Sequence, residues 1–598
     1  LKRHLKLFSY LLEDIEDLSG VKTQRDIQYI TSRVEGEGFS FLSITLPTYA
    51  KALEESLAKG SLCYNSFSAF RTDRGGFPLF LRGFLQRIFD PVDGVLIPSP
   101  DKESIRYIRQ ICYFWQKTNI PCKDFRVKAA FDAYMENERS VTEYEARKEP
   151  ETSVSFSRMS SLLFGGLFSR IESDLLDPFS TLAPHHSGGS TSDSLKGNKK
   201  YSNRTWTKRL DSVYSVVDAL YPHPRYFNAD ECTLLEPEAE IPVKVITVPK
   251  TLKTPRIIAM EPAHMQYMQQ ALLAKIVRFG HVNDEPFNWF CHSNDQTPNR
   301  IMARKGSIDE SLSTLDLSSA SDRVSYSHVR DLLARHPLLM EFVDACRSQK
   351  ADVPGYGIIP LSKFASMGSA LTFPLEAMVF TTIVFLAIES ALGHQLTLSD
   401  IKSFKGSVSV YGDDIIIPTD YAPVVIEWLN SNNMLVNHSK SFWTGKFRES
   451  CGSDWFDGFD VSVIRCKTIF DNNHVPAEDL ESLIKLQNLL FDRFYLKSAS
   501  YLENLLDFIP VVPQGQDVII GLFSYRRKPI ERYSNTLHRL EYLAYSSHKS
   551  FRRSSMSGVD SLMKFFLERG EEPLSERAYQ ESGRPVRVRK NVRWAAIY

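Results

Sequence analysis

The alternation of apolar and polar positions divides the chain into helical and extended stretches. Residues 1 to about 135 alternate amphipathic helical patterns with short breaks at Arg74-Gly-Gly-Phe-Pro78 and Ile97-Pro-Ser-Pro100. Residues 136–160 are polar and acidic and read as a connector or a solvated helix. Val243–Val248 is a clean strand stopped by Pro249, and a second apolar run, Ile257 to Pro262, makes it a hairpin. A helix is predicted from Met265 to Val277, and a short strand from Leu312 to Asp316. Ser318-Ser-Ala-Ser-Asp322 then reads as a helix start, with serine as a cap and Asp322 in the first turn.

Further along, Ala377–Ile388 is the most apolar run. Bracketed by Glu376 and Glu389, it reads as a buried helix too short to span a bilayer. Val408-Ser-Val-Tyr-Gly-Asp-Asp-Ile-Ile-Ile417 reads as a β-hairpin, with Gly412 free to take the positive φ of a tight turn. An amphipathic helix from Ala422 to Asn432 follows, then an aromatic turn at Asp454–Gly458. Helices at Leu480–Leu496 and Tyr501–Phe508 complete the pattern.

Composition changes this picture little. At 598 residues the chain needs several cores, and its 43% hydrophobic and 24% charged residues are those of a soluble globular protein. The 72 basic and 72 acidic residues cancel, which argues against a histone-like binder but not against a local basic channel. Eight cysteines without a C-x-x-C pair suggest a reduced compartment and no structural zinc. The N-terminal residues mix charge into a helical period and hold no signal-peptide core, and the missing Met suggests a processed or truncated start.

Candidate chemistry gathers at a few places. Asp413 and Asp414 stand side by side at the hairpin tip, where two carboxylates repel unless a cation lies between them. Asp316 ends a strand that needs no acid for its stability. Lys250, Lys253 and Arg256 recur at three-residue intervals and could face one polyanion, or form a solvated loop. Ser366-Met-Gly368, ahead of Thr372, suits close backbone approach of a ligand or of another helix. Between Lys196 and Arg209, the cations Lys199, Lys200 and Arg204 with the rings of Tyr201 and Trp206 fit single-stranded nucleic acid; a solvated linker fits equally. His185 and His186 lack a matching Cys/His cluster and read as loop residues. The basic clusters Tyr525–Lys528, Phe551–Arg553 and Arg584–Lys590 either hold RNA or solvate a tail.

The order of these parts resembles the motifs of template-dependent polymerases. Val248-Pro-Lys with Arg256, Asn294-Asp-Gln-Thr, Asp316-Leu-Ser-Ser-Ala-Ser-Asp322, Ser366-Met-Gly with Thr372-Phe, Tyr411-Gly-Asp-Asp-Ile-Ile and Phe447-Arg-Glu-Ser-Cys-Gly452 resemble the replicase catalytic (beta) subunit of leviviruses, the single-stranded RNA phages. His186-Ser-Gly-Gly and Gly197-Asn-Lys-Lys-Tyr also resemble its fingers, so the likeness runs from about 180 to 470.

This resemblance implies an α+β right-hand fold with an antiparallel-sheet palm and helix-rich N- and C-terminal regions. Its divisions are a helical region at 1–160, fingers at 161–308, a palm at 309–450 with a fingers insertion near 337–365, and a thumb and C-terminal region at 451–598. It implies primer-independent RNA synthesis by RNA-directed RNA polymerase chemistry, with two Mg²⁺ ions for which Mn²⁺ can substitute. Asp316, Asp413 and Asp414 would hold the metals, Lys440 would protonate pyrophosphate, and Lys250, Lys253 and Arg256 would hold the triphosphate. Asp322, with Ser366, Gly368 and Thr372, would form the nucleotide subsite.

Implied partners are RNA template and product, ribonucleoside triphosphates, host elongation factors Tu and Ts and a ribosomal protein, without a membrane. The implied place is the cytoplasm of a bacterial host. A narnavirus-like polymerase, a reverse transcriptase and a non-catalytic RNA-binding relative are the alternatives. A reverse transcriptase is not expected to carry Asp322, and a non-catalytic relative is expected to lack one of the three metal acids.

Overall fold

A computed structural model describes the chain except residues 178–181, 183, 281–283, 471–476, 516–518, 551–555, 569–586 and 597–598. The fold mixes helix and sheet. β1 (Thr205–Thr207) pairs in parallel with β2 (Thr233–Leu235). β3 (Val243–Val248) and β4 (Arg256–Met260) form the basic hairpin, with Val248 opposite Arg256. A second hairpin, β6 (Lys350–Val353) and β7 (Gly357–Pro360), joins it to give the order β4-β3-β6-β7. The insertion expected near 337–365 therefore extends the sheet of the basic hairpin.

The central sheet has the order β5-β9-β8, built from β5 (Leu312–Asp316), β8 (Ser409–Tyr411) and β9 (Asp414–Pro418), all antiparallel. Strand β9 is apolar from Ile415 to Ile417 because both its faces are covered there. Ile415 and Ile417 enter the main core with Leu315 and Val410, while Ile416 packs on the other face with Leu312, Met302 and Ala303. The predicted buried helix spans Thr372–Leu392, and Ile383, Val384 and Phe385 within it are fully buried. At 21 residues it is long enough to cross a bilayer, contrary to the sequence expectation, but the chain itself wraps it.

β10 (Phe447–Ser450), β11 (Ser453–Phe456) and β12 (Phe459–Asp460) make a meander over the central sheet. The C-terminal region carries an antiparallel sheet, β13 (Glu531–Ser534), β14 (Arg539–Ser550) and β15 (Arg587–Ala596). The helix-rich expectation for this end is thus corrected: Tyr542, Leu543, Tyr545, Val592 and Trp594 are β-formers that a helical reading overlooks. Phe551–Arg553 and the beginning of Arg584–Lys590 lie outside the described residues.

Packing redraws the expected divisions. The boundary at 160/161 falls inside the helix Pro150–Leu176, whose buried Phe156, Leu163 and Phe168 belong to the main core. The stretch 136–160 is no connector: Val141 and Tyr144 of the helix Asp124–Arg147 are buried too. The boundary at 450/451 falls in the β10–β11 turn. Residues from the first 115 share a second core with Phe442, Phe447, Phe456, Leu483, Leu502 and Tyr545, so the two ends of the chain fold together.

Arg109 locks that union. Fully buried, it pairs with Glu54 at 2.8 Å and with Asp454 at 3.1 Å, and donates to the Val461 carbonyl. Removing one partner of a buried pair leaves the other charges unsolvated. Arg109→Leu should lower stability by about 3–5 kcal/mol in urea unfolding. A loss below about 1 kcal/mol would show that Glu54 and Asp454 need no counter-charge.

Candidate active site

The register of the central sheet brings the acids together. Asp316 ends β5 directly opposite Asp414 at the start of β9, and Tyr411 closes the β8–β9 turn against Asp414. Gly412 takes φ +58°, and a Cβ there would lie 2.6 Å from Phe373, so turn geometry and a close approach both require glycine. Asp413 is left at the tip. Beneath the hairpin, the buried Asn299 donates to the Asp414 carbonyl at 3.3 Å and to Ser450 Oγ at 3.2 Å, and accepts from Ser409 Oγ at 2.6 Å. Asn299 lies in a segment whose function its sequence does not reveal; one amide ties three strands.

Each carboxylate has a distinct environment. Asp316 Oδ1 accepts from Lys440 Nζ at 3.0 Å and Oδ2 from Asn437 Nδ2 at 2.8 Å. Desolvation pushes Asp413 up, and the charge of Asp316 pushes it further. Asp414 rises to about 6, first by burial and then through Asp413 and Asp316, although its Oδ2 accepts from Cys451 N–H at 3.2 Å. Burial alone would depress Lys440, but Asp316 and then Glu449 leave it raised and cationic.

The basic hairpin reaches the same place. Lys250 is depressed by desolvation, then by Arg256 and Lys440, while Asp413 and Asp316 pull it back up. Among the described residues Lys250, Lys253 and Arg256 have no acidic side chain within ion-pair distance. Two further cations were not legible in the sequence. Lys51, on the helix Leu46–Lys59, is depressed by desolvation and then by Lys253; Lys117 is depressed by desolvation and then by Arg465, with Lys440 and Lys250 also contributing. The N-terminal region is held there by Asn119 N–H to the Lys467 carbonyl at 2.8 Å and Thr444 Oγ1 to the Ala58 carbonyl at 3.0 Å. No local pattern marks either lysine, because only the long-range packing brings them in.

Asp322, Ser366 and Thr372, the residues expected at the nucleotide, stand together. Ser366 Oγ donates to Asp322 Oδ1 at 2.9 Å, and Thr372 Oγ1 donates to the Ser366 carbonyl at 3.0 Å. Gly368 has φ +139°, and a Cβ would stand 1.8 Å from the Ala259 carbonyl on β4, so this loop presses on the basic hairpin. Asp322 does not start a helix. It ends a short 3-10 turn, Ala320–Asp322, and the helix Tyr326–Leu332 is capped by Ser325.

The tract 196–209 is corrected more deeply. Lys200 is buried, its Nζ donating to the carbonyls of Ser187 and Gly189 at 2.7 Å each. Arg204 pairs with Asp560 and lies over the Tyr221 ring, Arg209 pairs with Glu240, and Trp206 is wholly buried. These groups brace the fold, because acids distant in sequence neutralise the cations. Lys196 and Lys199 are exposed cations, and the Tyr201 ring packs edge-on against His186. Desolvation holds His186 near 3, consistent with a loop residue locked by stacking on Tyr267.

Asp316, Asp413 and Asp414 offer hard oxygen donors suited to Mg²⁺, and their mutual repulsion calls for a cation. Among the described residues no three His, Cys, Asp or Glu side chains stand gathered as a metal centre. Lys440 and Asn437 occupy both oxygens of Asp316, so the donor set fits in chemistry while Asp316 is engaged by the chain itself.

Comparison places the site in a class. Residues 224–490 match the family model described as RNA replicase, beta-chain, so the resemblance drawn from the motifs is met over that segment. It begins later than the expected 180, leaving the tract around Tyr201 outside, and extends beyond 470. The RNA-directed RNA polymerase beta chain of Escherichia phage MS2 is 37% identical over 228 residues, covering 38% of each chain. The polymerase beta subunit of Qbeta virus (strain MX1) is 37% identical over 219 residues, covering 37% of this chain and 34% of that one. The beta chain of Enterobacteria phage GA is 35% identical over 247 residues, 41% of each chain. The matched region thus spans between 34% and 41% of these relatives' length. Two solved structures, an "RdRp complex" and the BmCPV RNA-dependent RNA polymerase at quiescent state, are distant likenesses: each has a TM-score of 0.34 at 11% identity. They cover 58% and 69% of this chain and 33% and 37% of theirs.

The crowded acids give a stability prediction. Asp414 holds its proton more tightly folded, at about 6, than unfolded, near 3.8, so a penalty on folding builds as the pH rises from 3.8 and is complete above about 6. With divalent cations chelated, Asp414→Asn should stabilise the protein by about 1–2 kcal/mol at pH 7.5, discounted for partial exposure, with the gain vanishing near pH 4. Urea midpoints at the two pH values test this. A loss of stability at pH 7.5 would show that Lys440 and Lys250 already neutralise the acids.

Proposed function

We propose that the chain is an RNA-directed RNA polymerase, the catalytic subunit of a single-stranded RNA phage replicase. The observation that carries this reading is the register that sets Asp316 against Asp414, with Asp413 at the tip and unpaired cations around all three. In this reading the β5-β9-β8 sheet and its helices are the palm and the β4-β3-β6-β7 sheet belongs to the fingers. The shared core of the two chain ends supports a thumb-side wall. Substrates are an RNA template and ribonucleoside triphosphates. The phage names of the relatives point to the cytoplasm of a bacterial host. Host elongation factors Tu and Ts and a ribosomal protein belong to the proposal through the family resemblance alone.

The chemistry assigned to this chain follows from its charges. The 3′-hydroxyl of the growing strand gives up its proton to water as its oxygen bonds to the α-phosphorus and the bond from that phosphorus to the bridging oxygen breaks, releasing pyrophosphate. Lys250, Lys253 and Arg256 meet the triphosphate, whose charge shifts toward the leaving group as the reaction proceeds. Lys440, kept cationic by Asp316, is placed to give a proton to the departing pyrophosphate. Asp316, Asp413 and Asp414 would hold two Mg²⁺ or Mn²⁺ ions, which when bound supply charge stabilisation for the attacking and leaving oxygens. Each oxygen of Asp316 accepts one hydrogen bond from the chain and keeps a further lone pair with which it would hold a cation.

Primer-independent incorporation of ribonucleotides on single-stranded RNA is the direct test. Asp413→Asn should abolish it while RNA binding and folding persist; full incorporation by that variant would remove the acid triad from the mechanism. Arg256→Ala should raise KM for nucleotides roughly tenfold and lower kcat, the loss of one charge-assisted contact. Were only template affinity to change, the basic hairpin would belong to the RNA path.

A further inference from the structure

Asp322 is held by a relay that reaches into the N-terminal third of the chain. Its Oδ1 accepts from Ser366 Oγ at 2.9 Å and from Lys363 Nζ at 3.2 Å. Among the described residues its Oδ2 accepts no hydrogen bond, and the side chain is 19% exposed, so one oxygen is tied and the other is left able to accept. Ser366 has a single hydroxyl proton. A carboxylate can only accept, so that proton goes to Asp322 and Ser366 Oγ must accept from the Tyr134 hydroxyl at 3.2 Å.

Lys363 is wholly buried. Its ammonium lies 3.5 Å from the centre of the Tyr134 ring and 3.4 Å from Glu138 Oε2. Burial pulls its pKa down, but Asp322, Tyr134 and Glu138 more than restore it, so the lysine stays charged. Tyr134 and Glu138 stand one turn apart on the helix Asp124–Arg147, outside the segment that matches the replicase family. A buried lysine, a buried tyrosine and a serine thus converge on one oxygen of one acid.

We propose that Lys363 and Tyr134 are positioning residues for sugar recognition, fixing Asp322 so that its Oδ2 accepts the 2′-hydroxyl of an incoming ribonucleotide. The inference rests on the polymerase reading, in which the family resemblance puts Asp322 at the sugar, and deepens it by naming what holds that acid in place. Lys363 pins Oδ1. The Tyr134 hydroxyl fixes the Ser366 rotor, so that Ser366 donates to Asp322 and does not compete for the sugar. A role confined to folding would alter both sugars alike; aiming an acceptor alters only the one that carries the hydroxyl.

The experiment measures kcat/KM for paired ribo- and 2′-deoxyribonucleoside triphosphates. Tyr134→Phe keeps the ring beneath Lys363 and removes only the hydroxyl. It should lower the ribose-to-deoxyribose ratio about three- to tenfold, mostly through slower ribonucleotide use, while deoxyribonucleotide use is retained. Asp322→Ala should lower the ratio roughly ten- to a hundredfold. Lys363→Met should fall between the two; where it fails to fold, Tyr134→Phe decides alone. A wild-type ratio in Tyr134→Phe alongside a reduced ratio in Asp322→Ala overturns the positioning relay. An unchanged ratio in both removes Asp322 from sugar recognition, and the relay with it. Absence of any incorporation by the wild type removes the polymerase reading itself.

Discussion

Strand register forces three carboxylates into one small volume, and the surrounding structure answers that repulsion. Asp316 and Asp414 are cross-strand partners, Asp413 follows the glycine of the turn, and neither strand can slip without turning Ile415, Ile416 and Ile417 to the wrong faces. Apolar packing on both sides of β9 thus fixes an arrangement that electrostatics opposes. The repulsion is offset by Lys440 after the sheet and Lys250 before it, and Lys51 and Lys117 from the N-terminal region stand beside those cations.

This explains why the two ends of the chain share a core. Lys51 and Lys117 would have no fixed place without the contacts between the first 115 residues and the β10–β12 meander. Arg109, Glu54 and Asp454 form the buried polar tie within that apolar contact. A buried pair of this kind is weak evidence for stability but sets register well, because only one docking geometry satisfies all three charges. Arg448 plays a similar part closer in. Fully buried, it donates to the carbonyls of Leu312, Gly445 and Phe447 and so anchors the start of β5, at whose far end stands Asp316.

What the sequence shows depends on how local the cause is. The Gly-Asp-Asp hairpin, the strand ending in Asp316, the basic hairpin and the buried helix are set by neighbours in sequence, through turn chemistry and apolar period, and all form where expected. Asp322 was misread because serine and aspartate suit a helix start and a 3-10 turn equally; the helix waits for the Ser325 cap. Lys200, Arg204 and Arg209 read as free cations because their partners, two backbone carbonyls, Asp560 and Glu240, are defined only by tertiary packing. Trp206 offered a stacking face in sequence and fills a core in space. Lys363 and Tyr134 drew no notice at all, since a lone lysine and a lone tyrosine carry no periodic signal.

Overall neutrality of charge is therefore a poor guide to what the cleft binds. The 72 acids and 72 bases cancel over the whole chain, yet they do not cancel locally. Around the acid triad Lys51, Lys117, Lys250, Lys253 and Arg256 are left without ion-pair partners among the described residues. Glu449, which acts on Lys440, is pushed up chiefly by burial and then by Asp454. Desolvation and neighbouring cations depress Lys51, Lys117 and Lys250 together, so each would gain from a contact with added negative charge. Burial raises the strength of each such contact by excluding water, so a few unpaired lysines in a cleft outweigh many on an open surface. A site with an acidic floor and a basic rim can hold a phosphate chain at one end and release its negative charge at the other. Neither half could do this alone, and it is the packing of the N-terminal helices against the meander that completes the rim.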